Sequence, residues 1–320
     1  MSIHPVSQLD AQGSGGDVGL AEARAACRSL ARRRYENFTV LSHLVPRDRR
    51  DDFAALYAYC RWADDLGDEV GEPERALALL AWWREELDRC FAGEPRHHVF
   101  VALEPVIRRH DLPRRPFEDL VAAFEQDQRV TRYGTWEKVV GYCRLSANPV
   151  GRLVLMVLGE PRTPELFEPS DAICTALQLT NHWQDLRRDL EERDRIYVPR
   201  ELIAIERFEE RFRASAALGH AVDRTFLGES RALVRDLVER TWRLYEQGAV
   251  LVPRLRPASR PIVWLLAAGG RRVLRRIEEW SYETVLHRPK LGRAVKAMIV
   301  LEAAVRARLG RFGGGGVDGA

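Results

Sequence analysis

Apolar residues recur along most of the chain with the spacing of an α-helix. From Leu20 onward the period is about 3.6 residues, and strictly alternating runs of β-branched residues are absent. The pattern predicts helices over Leu20–Arg34 and over residues 51–68, 74–91, 99–110, 116–130, 136–146, 214–248, 259–286 and 291–309. We therefore predict an all-α protein.

Breaks between the predicted helices are short, as helix bundles require. One break is expected over residues 148–151, because Pro149 lacks a backbone donor and disfavours helix at the residue before it. Ser170-Asp171 predicts the N-terminal cap of a helix that carries Ile173, Leu177 and Asn181.

The two ends of the chain differ from the rest in composition. Residues 1–19 are Gly/Ser-rich and lack the basic and apolar regions of a signal peptide, and residues 310–320 end in a run of glycines. No Pro/Gly/Ser-rich linker interrupts the middle. We therefore expect a single domain over residues 20–309, flanked by two flexible tails.

Composition and charge narrow the class of protein. An apolar fraction of 46% with 30% charged residues is typical of a soluble globular protein, and a net charge of +3 gives no reason to expect a nucleic-acid partner. Five scattered cysteines argue against a disulfide framework and favour the cytoplasm. No apolar run reaches the ~20 residues that cross a bilayer, which leaves open only a peripheral membrane contact. The basic helix face at Arg271, Arg272, Arg275 and Arg276 is one candidate for such a contact.

Two acidic segments of the sequence contain candidate ligands for a cation. Asn181, Asp185 and Asp189 recur every four residues, so a helix would project their side chains along one flank, together with Gln178. Asp64 and Asp68 are one helical turn apart within an apolar stripe, where carboxylates are costly to bury unless a cation meets them.

If the two helices faced each other, four carboxylates would surround a shared cavity. Mg²⁺ held by carboxylates and substrate phosphates would relieve their repulsion. Asp65 and Glu69 lie further round the first helix and are expected to be only partly buried. The alternative is an acidic helix face of Asp64, Asp65 and Asp68 paired with Arg61.

Both segments resemble motifs of a known family. Tyr-x-x-Cys-Arg-x-x-Asp-Asp-x-x-Asp-Glu at residues 57–69 resembles the first aspartate-rich motif of the squalene and phytoene synthases, and residues 179–199 resemble the second. The resemblance implies an isoprenoid synthase fold with a central cavity. It implies that Mg²⁺ and diphosphate are bound by Asp64, Asp68, Asn181, Asp185 and Asp189. It also implies contacts to phosphate or to the reacting carbons from Arg61, Tyr142, Tyr35 and Asn37.

Two departures refine the resemblance. Gln184 stands where most head-to-head prenyl synthases carry arginine, and residues 146–152 read Ser-Ala-Asn-Pro-Val-Gly-Arg. Together with Glu36-Asn37-Phe38 and Asn-x-Trp-Gln-Asp, these resemble the bacterial hydroxysqualene synthase branch, which acts on presqualene diphosphate in hopanoid biosynthesis. This implies a presqualene diphosphate synthase and a hydroxysqualene reductase as functional partners. The spacer between Asp189 and Arg195 is one residue longer than this branch leads us to expect.

The expected reaction ionises the substrate, rearranges the carbocation and captures it with water. Arg61 and Arg195 would assist departure of the diphosphate, and Arg288 would close over it. Tyr142 and Phe38 would stabilise the cation through their ring faces, and Tyr197 lies in the Arg195 loop. We expect the water to be placed by Gln184, Asn148 or Gln178. The alternatives are head-to-head condensation of farnesyl or geranylgeranyl diphosphate and a catalytically silent helical scaffold.

Several histidine, cysteine and tryptophan residues are not expected to form part of the site. Adjacent His97 and His98 are expected to be exposed loop residues and not a metal site. Core packing is the expectation for Cys60, Cys174, Trp82, Trp83 and Trp264. No nucleotide-binding fingerprint supports use of NADPH.

Overall fold

The computed structural model describes residues 18–34, 44–310 and 312. Within these residues the regular structure is helical, and the single extended pairing is an isolated bridge between Arg132 and Ile196. The prediction of an all-α protein is confirmed. The chain divides into two compact units: residues 1–130 with 152–161, and residues 131–151 with 162–320. The single domain and its central cavity stay predictions.

The first unit is built around one helix. Its elements are α1 (Leu20–Arg34), a 3₁₀ turn (Arg47–Arg49), α2 (Arg50–Asp68), α3 (Pro73–Ala92), α4 (His98–His110) and α5 (Arg115–Asp127). α2 packs against each of the other four α-helices. Tyr59 of α2 is fully buried against Trp83, Phe100 and Phe117, and its hydroxyl donates to the Phe117 carbonyl over 2.9 Å. Trp62 is buried with its ring stacked on Trp83. The first acidic segment therefore ends the most enclosed helix of this unit.

The second unit is also arranged around one helix. Its elements are α6 (Trp136–Ser146), the first turn of α7 (Asn148–Val157), α8 (Pro164–Gln184), α9 (Leu186–Arg193), a 3₁₀ turn (Arg200–Leu202), α10 (Phe208–Leu218), α11 (Arg224–Gly248), α12 (Leu251–Arg254), α13 (Arg260–Glu279) and α14 (Arg293–Leu309). α8 packs against α6, α11 and α13. Trp183 donates from Nε1 to Thr241 of α11 over 2.8 Å, which fixes the end of α8 beside the second acidic segment.

The predicted start of α8 at Ser170 is wrong. The helix begins at Pro164 and continues through Pro169. Pro169 has no N–H to donate to the Glu165 carbonyl, but Arg254 donates to that carbonyl over 3.1 Å. Gly248 packs so closely that a Cβ there would lie 2.9 Å from the Pro169 carbonyl oxygen. Tertiary contacts thus stabilise a helix that the local sequence argues against.

Two later helices are shorter than predicted. The segment expected over 214–248 is divided, because Gly219 adopts a left-handed conformation (φ 73°) and ends α10. Asp223 then caps α11, its carboxylate accepting from the backbone N–H of Phe226 over 2.7 Å. The helix expected over 259–286 ends at Glu279, before Ser281 and Tyr282 at positive φ.

The prediction that His97 and His98 are exposed loop residues is wrong. His97 is only 6% exposed, and its ring centroid lies 4.1 Å from that of His98 and 4.6 Å from that of Trp62. The rings meet because His97 precedes α4 and is not constrained to helical geometry. Burial, together with the nearby His98, lowers the pKa of His97 well below its usual value, and burial lowers the pKa of His98 to about 4.

Trp83 and Trp264 are buried, as predicted, whereas Trp82, Cys60 and Cys174 are half-buried. Burial, with a smaller contribution from the Asp64 charge, raises the pKa of Cys60 to about 12, so its thiol stays protonated at neutral pH. Among the described residues, no helix has both the length and the hydropathy needed to span a bilayer.

Candidate active site

The first acidic segment forms a network around Arg61. Its guanidinium lies 2.9 Å from an oxygen of Asp64 and 2.9 Å from an oxygen of Glu69, and it also forms an ion pair with Asp65. Burial acts to lower the pKa of Arg61, but the charges of Asp64, Asp65 and Glu69 outweigh it and raise the pKa. The pairing that the sequence offered as the alternative is thus present, and it leaves Arg61 charged beside Asp64.

Burial within this segment differs from the prediction. Asp65 is 0% exposed, whereas Asp64, Asp68 and Glu69 are half-buried. The prediction that Asp65 would be only partly buried is wrong, because helices surround α2 on several sides and Arg61 compensates the buried charge. Asp64 and Asp68 are therefore the aspartates that keep access to solvent.

The end of α2 is held by a residue that the sequence analysis did not single out. Gln128, just after α5, donates from Nε2 to the Gly67 carbonyl over 2.8 Å. This bond satisfies a carbonyl in the last turn of α2, next to Asp68. Gln128 lies inside the helix predicted over residues 116–130, and a lone glutamine there gives no sequence signal for such a role.

The second acidic segment lies at a junction between two helices. α8 ends at Gln184 and α9 begins at Leu186, and Asp185 between them has φ −102°. Helix-like backbone bonds nevertheless continue from Asp185 to Asn181 over 2.9 Å and from Asp189 to Asp185 over 2.8 Å. The four-residue spacing is preserved, but the single helix that the sequence predicted is interrupted. Asn181 is exposed, Asp185 is half-buried and Asp189 is buried.

Arg288 binds the carboxylate at this junction. Its guanidinium donates to both oxygens of Asp185, one of them over 2.9 Å. The hydrogen bond to Asp185 raises the pKa of Arg288 against the opposing effect of burial, and the charges of Asp185, Asp189 and Glu192 add to it. The sequence predicted that Arg288 would close over a diphosphate, and the structure places it beside the predicted ligand Asp185.

Two further contacts fix the segment that carries Arg288. Gln184 donates from Nε2 to the Pro289 carbonyl. Arg187 donates to the Leu286 carbonyl over 2.9 Å and to the Ala216 carbonyl over 2.8 Å. Arg187 is one of an Arg-Arg pair in the sequence, which gave no sign that it joins the last turn of α10 to the segment that carries Arg288.

The loop with Arg195 and Tyr197 follows α9. Asp194 ends the helix in a left-handed conformation (φ 52°), and the backbone N–H of Arg195 donates to the Asp189 carbonyl over 2.9 Å. Arg132 binds the Asp194 carboxylate over 2.9 Å. The unexpectedly long spacer is thus closed by a tight turn, and Arg195 is buried at 7% exposure.

Buried aromatic rings cluster around Tyr197. Its ring stacks on His182 with centroids 3.7 Å apart and an interplanar angle of 18°. Tyr133 and Tyr142 lie 5.6 Å and 5.5 Å from Tyr197. Burial, and secondarily the charge of Arg195, lowers the pKa of His182 to about 3, so its imidazole is neutral at neutral pH. Tyr142 and Tyr197 were predicted site residues, whereas His182 and Tyr133 were missed.

Asn148 and its neighbours pack against α8. The buried Asn148 side-chain oxygen accepts from the Thr175 hydroxyl over 3.0 Å. A Cβ at Gly151 would lie 2.3 Å from the Cys174 sulfur, so only glycine permits this approach. Gln178 is half-buried. The predicted substrate contacts Tyr35, Asn37 and Phe38 lie outside the described residues.

The donor set of each acidic segment suits magnesium by its chemistry. Carboxylate oxygens and an amide oxygen are the donors that hard cations prefer, and these segments offer Asp64 and Asp68 or Asn181, Asp185 and Asp189. Asp64 and Asp185 each form an ion pair with an arginine, so a cation there would compete with a guanidinium. No preformed group of three or more His, Cys, Asp or Glu side chains able to hold a metal occurs in the described part of the chain.

The squalene/phytoene synthase family model matches residues 31–295, which include both acidic segments. The chain belongs to the squalene/phytoene synthase family. Members of this family are enzymes that act on prenyl diphosphates. The family resemblance seen in the sequence is confirmed.

Individual relatives within the squalene/phytoene synthase family carry different activities in their names. The chain is 30% identical over 295 residues to a phytoene synthase of Arthrospira platensis, an alignment that covers 88% of this chain and 93% of the relative. It is 37% identical over 208 residues to a hydroxysqualene synthase of Zymomonas mobilis, covering 63% of this chain and 68% of the relative. A crystal structure of squalene synthase HpnC from Alicyclobacillus acidocaldarius is 40% identical, covering 83% of this chain and 98% of the other, with a TM-score of 0.71.

Proposed function

We propose that this protein is a hydroxysqualene synthase that converts presqualene diphosphate and water to hydroxysqualene and diphosphate. The observation that carries the proposal is the neutral Gln184 beside Asp185, with its amide nitrogen bound to the Pro289 carbonyl. The 37% identity to a hydroxysqualene synthase supports it. In this proposal the substrate comes from a presqualene diphosphate synthase and the product passes to a reductase.

Binding of the diphosphate falls to the two acidic segments and their arginines. Asp64, Asp68, Asn181, Asp185 and Asp189 would hold Mg²⁺, which when bound would neutralise the diphosphate and make it a better leaving group. Arg61, Arg195 and Arg288 would donate to phosphate oxygens. Arg61 and Arg288 already lie beside aspartates of the two segments, so phosphate oxygens would replace carboxylate oxygens as their acceptors.

The aromatic cluster would shelter the carbocation formed when the C–O bond breaks. Tyr142 and Tyr197 offer ring faces, whose quadrupoles attract cations. The neutral His182 stacked on Tyr197 adds no positive charge that would oppose the cation. Burial of these rings excludes stray water from the wall they form.

Capture by a single water needs a hydrogen-bond acceptor that leaves the water nucleophilic. The side-chain amide of Gln184 donates a hydrogen bond to the Pro289 carbonyl. Its side-chain oxygen then points away from Pro289 and would accept a hydrogen bond from water. Asn148 is the reverse case, since its oxygen accepts from Thr175 and its N–H groups remain to donate. A donor to the water oxygen would reduce its nucleophilicity. We therefore favour Gln184 over Asn148 for placing the water.

The alternative function is head-to-head condensation of two farnesyl or geranylgeranyl diphosphates. It is favoured by the phytoene synthase relative, whose alignment covers more of this chain. The silent-scaffold alternative is disfavoured by the retention of all five predicted metal ligands.

One product assay tests these functions. The purified full-length protein is incubated with Mg²⁺ and presqualene, farnesyl or geranylgeranyl diphosphate, and the products are identified by mass. Hydroxysqualene from the first substrate supports the proposal, a C30 or C40 condensation product supports the alternative, and no turnover of any substrate supports the scaffold.

A variant tests the role of Gln184. Gln184→Arg is expected to lower the yield of hydroxysqualene or change the product, while Gln247→Arg, an exposed residue of α11, serves as the matched control. An unchanged yield and product from Gln184→Arg would rule out a role of Gln184 in water capture.

A further inference from the structure

The last described helix, α14, carries an apolar stripe on its outer face. Met298, Leu301, Val305 and Leu309 are 47%, 65%, 44% and 59% exposed, although each is a large hydrophobic side chain. Their spacings of three and four residues place them on one side of the helix. Ile299 and Ala303 are buried, and α14 packs against α13. The stripe is thus separate from the face that stabilises the fold.

Positive charge accompanies this stripe. α14 contains Arg293, Lys296, Arg306 and Arg308 but a single acidic residue, Glu302, which gives the helix a net charge of +3. Glu302 is already paired with Arg306 at 2.8 Å. Arg308 is exposed and lies beside Leu301 at helical spacing, whereas Lys296 falls on the opposite side of the helix. A partner of this face must therefore accept apolar side chains and also supply negative charge beside Leu301.

The charge distribution decides between two kinds of partner. In a symmetric dimer along the stripe, two helices of charge +3 would meet, and the one carboxylate of each is already engaged by its own arginine. A bilayer with anionic headgroups suits both features, because the apolar stripe would enter the boundary of the acyl chains while basic side chains reach the headgroups.

We propose that the exposed face of α14 docks the protein on an anionic lipid bilayer, with the helix lying in the plane of the interface. This proposal does not depend on which prenyl diphosphate is the substrate. The defining residues are Met298, Leu301, Val305, Leu309 and Arg308.

Vesicle co-sedimentation of the full-length protein tests the proposal. Binding is compared on vesicles of phosphatidylcholine alone and of phosphatidylcholine mixed with phosphatidylglycerol. We expect preferential binding to the mixed vesicles. Leu301→Asp should lower the partition coefficient about tenfold or more, since a largely exposed leucine would no longer be buried in lipid. Arg308→Gln should lower it about fivefold on mixed vesicles only.

Leu218→Asp is the matched control. Leu218 is 56% exposed at the end of α10 and lies outside the stripe, so its replacement should leave vesicle binding unchanged. Thermal melting checks that each variant is folded.

Several results would overturn the proposal: absence of vesicle binding, equal binding to neutral and anionic vesicles, or equal loss in Leu301→Asp and Leu218→Asp. A dimer in light scattering that Leu301→Asp converts to a monomer, without any vesicle binding, would instead assign the stripe to a second copy.

Discussion

Replacing Arg61 with glutamine should destabilise the protein through Asp65. Asp65 is fully buried and forms an ion pair with the Arg61 guanidinium, which also binds Asp64 and Glu69. Glutamine keeps much of the side-chain length but removes the charge. The variant therefore leaves a buried carboxylate without its arginine while changing little of the packing around α2.

The magnitude follows from the burial of both partners. Removing one partner of a buried ion pair costs about 3–5 kcal/mol. The Arg61 side chain is 26% exposed, so solvent already screens part of the interaction and the lower end of this range, about 3 kcal/mol, is expected. For a chain of 320 residues, with an unfolding entropy of about 2.1 cal/mol/K per residue, such a loss lowers the melting temperature by about 4–5 °C.

A double-mutant cycle separates the buried pair from other effects of the substitution. Melting temperatures and urea midpoints are measured for wild type, Arg61→Gln, Asp65→Asn and the double variant. Asp65→Asn should recover most of the stability lost in Arg61→Gln, because the charge left buried is then removed. If Arg61→Gln melts with wild type, or if Asp65→Asn brings no recovery, the reasoning about the buried pair is refuted.

Three further predictions address other parts of the protein. Arg288→Gln should strengthen Mg²⁺ binding about tenfold, because the oxygens of Asp185 are released, and should weaken binding of inorganic pyrophosphate, because a donor to phosphate is lost. Calorimetric titration of each ligand alone measures both effects, and tighter pyrophosphate binding would contradict the prediction. The unfolded protein protonates His98 near pH 6.5, whereas the native protein does so only near pH 4, so His98 should lower the stability by up to about 3 kcal/mol as the pH drops through this window, in addition to the losses from buried His97 and His182. His98→Gln should flatten this pH dependence in thermal melts, and an unchanged slope would show that His98 does not cause it. His182→Ala should cost about 3 kcal/mol by removing the ring stacked on Tyr197, whereas His182→Phe should keep near wild-type stability; equal denaturant midpoints for the two variants would exclude the stack as the cause.

The apolar periodicity of the sequence was sufficient to predict helices that are stabilised by local interactions. α6 occupies residues 136–146 as predicted, with Thr135 capping its first turn by accepting from the Lys138 N–H over 3.3 Å. α8 could not be predicted in this way, because the Glu165 carbonyl that Pro169 leaves without a backbone donor is bound by Arg254, nearly ninety residues away. A distant donor of this kind leaves no mark in the local pattern.

In the candidate site, too, local spacing could be read from the sequence and long-range contacts could not. The spacing of Asp64 and Asp68, and of Asn181, Asp185 and Asp189, was sufficient to propose oxygen donors for a cation. The complete burial of Asp65 and the stacking of His182 on Tyr197 could not be read from spacing, because both depend on which helices and loops come together. Whether the two acidic segments jointly hold a diphosphate stays a prediction that the product assay and the Arg288 variant address.

The narrow gap between Gly151 and Cys174 bears on how chemical labelling of this protein should be interpreted. A single added carbon at Gly151 would already overlap the Cys174 sulfur, so the sulfur has no room for an alkyl or mixed-disulfide adduct on that side. Modification of Cys174 would displace α7 from α8 near Asn148. Inactivation by a thiol reagent would therefore report a displaced helix and should not be taken as the signature of a nucleophilic cysteine.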